Sequence, residues 1–181
     1  MLSLDRVIEV QVNGAAMTMK QAGSAIQLTP VTLNGQPQKA RGLLNGLTVV
    51  NARGTDAGWS LTGQMTSDFS DGTGDGVCGV NNPASWDNHC IPGGNVGWVP
   101  SAQVSHVVIP GDVATVNAGS PAIPGTTGLP GWDGSATAHT LCSAPATRSG
   151  GTFDCGGGIG PGIPASAAKG LYRGTLTLTL V

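Results

Sequence analysis

A chain of 181 residues is long enough for one domain with a real hydrophobic core and short for two. Charged residues make up only 10% of it and the formal net charge is −2, where an average soluble protein carries roughly 25% charged residues. A surface so nearly neutral excludes the basic footprint of a nucleic-acid binder, and the eight Lys and Arg, scattered singly, exclude polybasic attachment to a membrane.

The opening residues Met1 to Arg6 lack the basic and apolar blocks of a signal peptide. Secretion would therefore rest on a signal already removed, or on another route of export such as a virus particle. The first predicted element covers residues 7–12, where Ile8, Val10 and Val12 face one way and Val7, Glu9 and Gln11 the other; that two-residue period marks a half-buried strand. Short strand-like runs follow at 17–20, 25–29 and 47–51, with turn signals at Asn13-Gly14, Asn34-Gly35 and Asn45-Gly46. A further strand is predicted over 58–66, between Arg53-Gly54 and Asp71-Gly72. Residues 71–100 are rich in Gly, Asn and Pro, strands are expected again at 104–109 and 113–117, and a Pro- and Gly-rich stretch follows from 119 to 134. The string Cys155-Gly156-Gly157-Gly158-Ile159-Gly160 has no helix-forming sequence after it to bind a phosphate, so it reads as an anchored turn. The chain closes on its clearest strand, 174–181, with Leu176, Leu178 and Leu180 on one face and threonines on the other. Helical periodicity is absent, and no run approaches the ~18–20 apolar residues of a membrane span. The expected architecture is all-β: one antiparallel β-sandwich domain over 1–181, with long disulfide-stapled insertions at about 71–100 and 119–165.

Cys78, Cys90, Cys142 and Cys155 form an even set in a chain poor in charge, which favours disulfides and an oxidising compartment. Of three possible pairings, Cys78–Cys90 with Cys142–Cys155 is favoured, because each pair brackets one short Gly-containing loop. Closing a loop of that size contributes about 3 kcal/mol, mainly by restricting the unfolded chain.

Two segments carry the strongest functional signal. One is Val49-Val50-Asn51-Ala52-Arg53-Gly54-Thr55-Asp56-Ala57-Gly58-Trp59-Ser60-Leu61-Thr62; the other is the tail, from Ile163-Pro164-Ala165 through Gly170-Leu171-Tyr172-Arg173-Gly174-Thr175-Leu176-Thr177-Leu178-Thr179-Leu180. Together they resemble the WxL-type domains of Gram-positive cell surfaces, most closely the actinobacterial variants. Trp59, Leu61, Tyr172, Gly174, Leu176 and Leu180 match that family's motifs, while Leu178 stands where its second Trp would. The segment from Ile91-Pro92 to Gly97-Trp98-Val99-Pro100 also looks like a family stretch. The resemblance covers about half the chain, and the cysteine-bearing loops lie outside its basic pattern. It implies an all-β domain, secreted to the cell surface or cell wall, that associates non-covalently with peptidoglycan or another wall glycan.

Trp59 and Leu61 lie two apart on a predicted strand, so they share a face, read here as a core anchor. Trp86, Trp98 and Trp132 fall in loop-like sequence and are the candidates for stacking on a sugar ring or contacting another surface protein. The other reading of these three is that they pin the loops as small satellite cores. Asp68, Asp71 and Asp75, with Asp87 near them, offer oxygen ligands to calcium, but the spacing lacks a closing Glu and fits Asp-Gly turns better. His89, His106 and His139 are too dispersed for a zinc motif. Glu9 is the only glutamate, so the paired carboxylates of glycosidases are not evident. Nor does a Gly-x-Ser-x-Gly turn stand between a strand and a helix. No enzyme and no cofactor are expected. The alternative to a wall-binding domain is a self-assembling structural subunit of an extracellular fibre, surface layer or virion, joined through its sparsely charged terminal strands.

Overall fold

The computed structural model describes residues 8–23, 25–73, 78, 87–123 and 137–181. Among these residues there are eleven strands: β1 (Met17–Gln21), β2 (Gln38–Lys39), β3 (Gly42–Asn51), β4 (Trp59–Met65), β5 (Phe69–Ser70), β6 (Cys90–Ile91), β7 (Val96–Val104), β8 (Asn117–Ala118), β9 (His139–Ala144), β10 (Gly151–Ile163) and β11 (Leu176–Leu180). A 3-10 turn, Gly93–Asn95, precedes β7. Every strand pair is antiparallel. The larger sheet runs β1-β3-β10, with β7 on the far flank of β10 and β2 pairing the end of β10 beyond β3; the smaller runs β11-β4-β9-β8. A two-stranded sheet, β5-β6, stands apart from both.

Alternation explains the layering. Along β4, Trp59, Leu61, Gly63 and Met65 are buried while Ser60, Thr62 and Gln64 are partly exposed, so one face of the strand is core and the other is not. The core draws Leu47, Val49, Trp98, Phe153 and Cys155 from the larger sheet and Trp59, Leu61, Met65, Leu141 and Cys142 from the smaller. Apolar faces of two sheets closing on each other make a β-sandwich. Cys142 of β9 is bonded to Cys155 of β10, so this disulfide bridges the two sheets through the core, while Cys78–Cys90 ties residue 78 to the short β6.

Several expected elements change place. Residues 8–12 join no strand among the described residues, and Ile8, Val10 and Val12 are 94%, 87% and 80% exposed. The ladder begins only at Met17, opposite Asn51, where β3 itself ends. Residues 25–29 also form no ladder, although Ile26 and Leu28 pack on the core. The strand expected at 104–109 lies earlier, as β7, and ends at Val104, leaving Val107, Val108 and Ile109 exposed. Only Asn117 remains in a strand of the run expected at 113–117. Asn45-Gly46 is not a hairpin turn: Cys155 faces Leu47 and Gly157 faces Leu44, so an extra residue bulges out of β3 there. Gly46 takes φ +51, a conformation open to glycine at no steric cost.

The stretches read as insertions hold sheet strands. Residues 71–100 include β6 and the start of β7, and 119–165 include β9 and the whole of β10, the strand flanked by both β3 and β7. The glycine string expected to be a turn is the middle of β10. Glycine is needed there, because a Cβ on Gly157 would collide with the Val99 carbonyl oxygen of the neighbouring strand.

Candidate functional site

The residues that carry the family resemblance build the fold. Arg53 folds over its own turn: its Nε donates to Asn51 Oδ1 at 2.9 Å, and its Nη2 donates to the carbonyls of Ala57 and Gly58 at 3.2 and 3.0 Å. Trp59 packs its ring on Phe153, centroids 5.2 Å apart, and its indole N–H donates to the Ser149 carbonyl at 3.1 Å. Asn51, buried, donates from Nδ2 to the same carbonyl at 2.8 Å. Buried polar groups must find partners, and this knot joins the Arg53 turn to the loop before β10. The motif's tail lies directly beside its head: Leu180 faces Leu61, Leu178 faces Gly63 and Leu176 faces Met65. A Cβ built on Gly63 would meet both Leu178, at 3.4 Å, and the ring of Trp98, at 3.2 Å. Trp98 thus fills the space over Gly63 beside Leu178. It is 2% exposed, which corrects its reading as a surface platform: β7 turns its side chain into the core. Trp86 and Trp132 lie outside the described residues.

Tyr172 ties the tail to the loop before β6. Its hydroxyl lies 2.9 Å from the carbonyls of both Asn88 and Ala168, donating to one at a time, and Ser70 and Arg173 exchange backbone hydrogen bonds nearby. Gly174 sits where a Cβ would meet Phe69 and Met65 at 3.1 Å.

The acidic residues have separate partners. Asp68 is buried and accepts from the Gly93 N–H at 2.7 Å. Asp71 accepts from the N–H and hydroxyl of Thr73 and pairs with His89 at 2.8 Å. The hydrogen bond from His89 holds the Asp71 carboxyl down at about 2, and Asp71 in turn raises the histidine. Asp75 lies outside the described residues, and among those described no three His, Cys, Asp or Glu side chains group as metal ligands. His106 forms a second pair of this kind. Its Nε2 lies 2.7 Å from Asp112 and its Nδ1 within 3.1 Å of the Thr152 backbone, and the carboxylate raises its pKa.

A surface that sequence reasoning missed lies on the outer face of the larger sheet. Phe153, Cys155 and Ile159 of β10 point into the core, so Asp154, Gly156 and Gly158 point out. Gly158 stands between Leu43 of β3 and Val99 of β7, both mostly exposed, and Gly156 is opposite Ser101. Asp154 is flanked by Thr48 and Gln103, and the Thr48 hydroxyl donates to it at 3.1 Å. Two side-chain-free positions between flanking side chains leave an open trough of about 780 Å³. With strands about 4.8 Å apart, the Leu43 and Val99 walls stand about 10 Å from each other. The lining offers apolar walls and, toward one end, hydroxyl, amide and carboxylate groups. Among the described residues Asp154 is the one carboxylate lining it. The outward glycines of β10 were legible only once the strand itself was recognised.

Comparison with protein-family models, with curated proteins and with solved structures gives no match for this chain. Among the described residues no helix is long and apolar enough to cross a membrane.

Proposed function

We propose that the protein is a non-catalytic extracellular surface domain that associates non-covalently with the Gram-positive cell wall, through peptidoglycan or another wall glycan. The supporting observation is that Trp59-Ser60-Leu61 and Thr175-Leu176-Thr177-Leu178-Thr179-Leu180, far apart in sequence, are neighbouring strands with Leu61 opposite Leu180. Their side chains serve the core, so contact with a wall glycan falls to surfaces elsewhere. The trough beside β10 is the first of these to test, since sugar rings present both apolar faces and hydroxyls. The two disulfides are compatible with an oxidising, extracellular setting.

The test is co-sedimentation of the non-reduced protein with purified Gram-positive cell walls. The expected result is retention in the pellet, release by muramidase digestion, and weaker retention of Val99→Asp and Gln103→Ala, both at exposed positions. A protein that stays in the supernatant overturns the proposal. A second reading, a self-assembling structural subunit, is favoured by one observation: the apolar alternation at 8–12 is exposed and has no partner strand among the described residues.

A further inference from the structure

Among the described residues, β11 is an edge strand with one side unpaired. Ser60 and Val181 exchange two hydrogen bonds, 2.9 and 3.0 Å, and Thr66 donates to Thr175 at 2.9 Å. In an antiparallel pair alternate residues bond to the partner strand, so Thr175, Thr177, Thr179 and Val181 face β4. The N–H and C=O groups of Leu176, Leu178 and Leu180 therefore point outward, where no described strand pairs with them. The other edges of the two larger sheets are blunted: β7 is bridged by Ala122 opposite Trp98, β2 and β8 have two residues each, and β1 carries Lys20. β11 has no charge, proline, glycine or bulge, the usual devices that stop an edge from recruiting another chain.

The same chain carries a segment with the opposite deficiency. Residues 8–12, Ile-Glu-Val-Gln-Val, match β11 in length and in alternation. They precede an anchor at Ala15, whose N–H donates to the carbonyl of Ala52, just past the end of β3, and their apolar side chains are 80–94% exposed. β-branched residues with a two-residue period favour a strand that has a sheet to join. We propose that residues 8–12 of one copy add as a strand to the β11 edge of a second copy, so that copies associate head to tail. Ile8, Val10 and Val12 then continue the Leu176, Leu178 and Leu180 face, and Glu9 meets only threonines. No like charges oppose each other across this contact, and copies at formal charge −2 repel little. A contact between different surfaces of identical chains leaves a donor and an acceptor free at each end, so it propagates. Five residues are far fewer than the roughly 20–30 a side of a standard interface, so single contacts are weak and association rises with concentration.

This inference rests on the self-assembly reading, and sedimentation velocity of the full chain over a concentration series separates the two. Wild-type protein is expected to associate progressively. Val10→Lys, at an exposed position that the fold does not use, is expected to weaken association by roughly tenfold or more, as a lost strand pair with a charge in its place should. Leu178→Pro removes an outward N–H that β4 does not need; its fold is checked by near-ultraviolet circular dichroism. Each variant alone is expected to remain monomeric, and an equal mixture to form a dimer that grows no further, since one intact donor meets one intact acceptor. A monomeric wild type overturns both the self-assembly reading and this contact. A Val10→Lys chain that associates like wild type overturns the contact alone, leaving self-assembly by another surface.

Discussion

Removing the bridge between the sheets tests how this sandwich is held together. Cys142 and Cys155 are 13 residues apart in sequence, and both are buried in the core. Replacing both with Ala frees the unfolded chain from a closed loop of that length, a loss of about 3 kcal/mol on chain-entropy grounds. It also removes two sulfur atoms from a packed interior, and at ~24 cal/mol per Å³ of cavity this adds about 1 kcal/mol. The expected loss is thus about 4 kcal/mol, a large share of the ~5–15 kcal/mol that stabilises a typical domain. Equilibrium urea unfolding measures it, and the slope is informative as well. A chain released from a cross-link unfolds to a more expanded state, so the denaturant dependence should steepen. The matching change at Cys78 and Cys90, separated by 12 residues and also buried, removes about the same chain entropy and two buried sulfurs, so it should likewise cost about 4 kcal/mol. A loss below about 1 kcal/mol for the Cys142/Cys155 pair, with an unchanged slope, would refute this account of the bridge.

Three further outcomes are expected. Asn51→Ala removes a buried side chain that donates to Ser149 and accepts from Arg53; it should cost about 2–3 kcal/mol in thermal or urea unfolding, and a cost under ~0.5 would show the knot to be dispensable. Gly157→Ala drives a Cβ toward the Val99 carbonyl and should cost about 2 kcal/mol or more by parting β7 from β10, whereas Gly158→Ala, with open space around it, should change stability by less than about 0.5. Stability should also depend on pH with a defined sign. His89 and His106 are raised above their ordinary 6.5, so what they contribute is complete below that value and is lost as pH rises through their folded values. Asp71, lowered from 3.8 to about 2, contributes above 3.8 and loses that contribution as pH falls toward 2. The protein should therefore be most stable between these limits, and His106→Gln should flatten part of the decline on the alkaline side; an unchanged decline would remove His106 from the account.

The elements legible in sequence were those whose alternation coincides with a partner. β4 and β11 show a clean two-residue period because one face of each packs on the core, and they lie side by side. The same period at 8–12 is equally clean, yet periodicity sets only which face would be buried and supplies no neighbouring strand. β10 was hidden for the opposite reason. Its glycines read as a turn, but a strand pressed between β3 and β7 has so little room at Gly156 and Gly157 that side chains would strike backbone. Trp98 seemed exposed because it follows a Gly- and Asn-rich stretch; β7 begins before it and turns it inward. The Asn51, Trp59 and Ser149 knot had no sequence signature, since its members meet only when the loop before β10 folds back over β4.

The glycines of β10 also bear on how this protein can vary. Gly156 would bring a Cβ to 2.8 Å from the Leu44 carbonyl oxygen, and Gly157 is blocked by that of Val99, while Gly158 has nothing within 4 Å and opens directly into the trough. A mutation at either of the first two is selected against as a folding defect before any ligand is tested. At Gly158 a Cβ meets open space, so a side chain there would reshape the trough between Leu43 and Val99. The shape of that surface can therefore change at one codon, with the strand beneath it held constant.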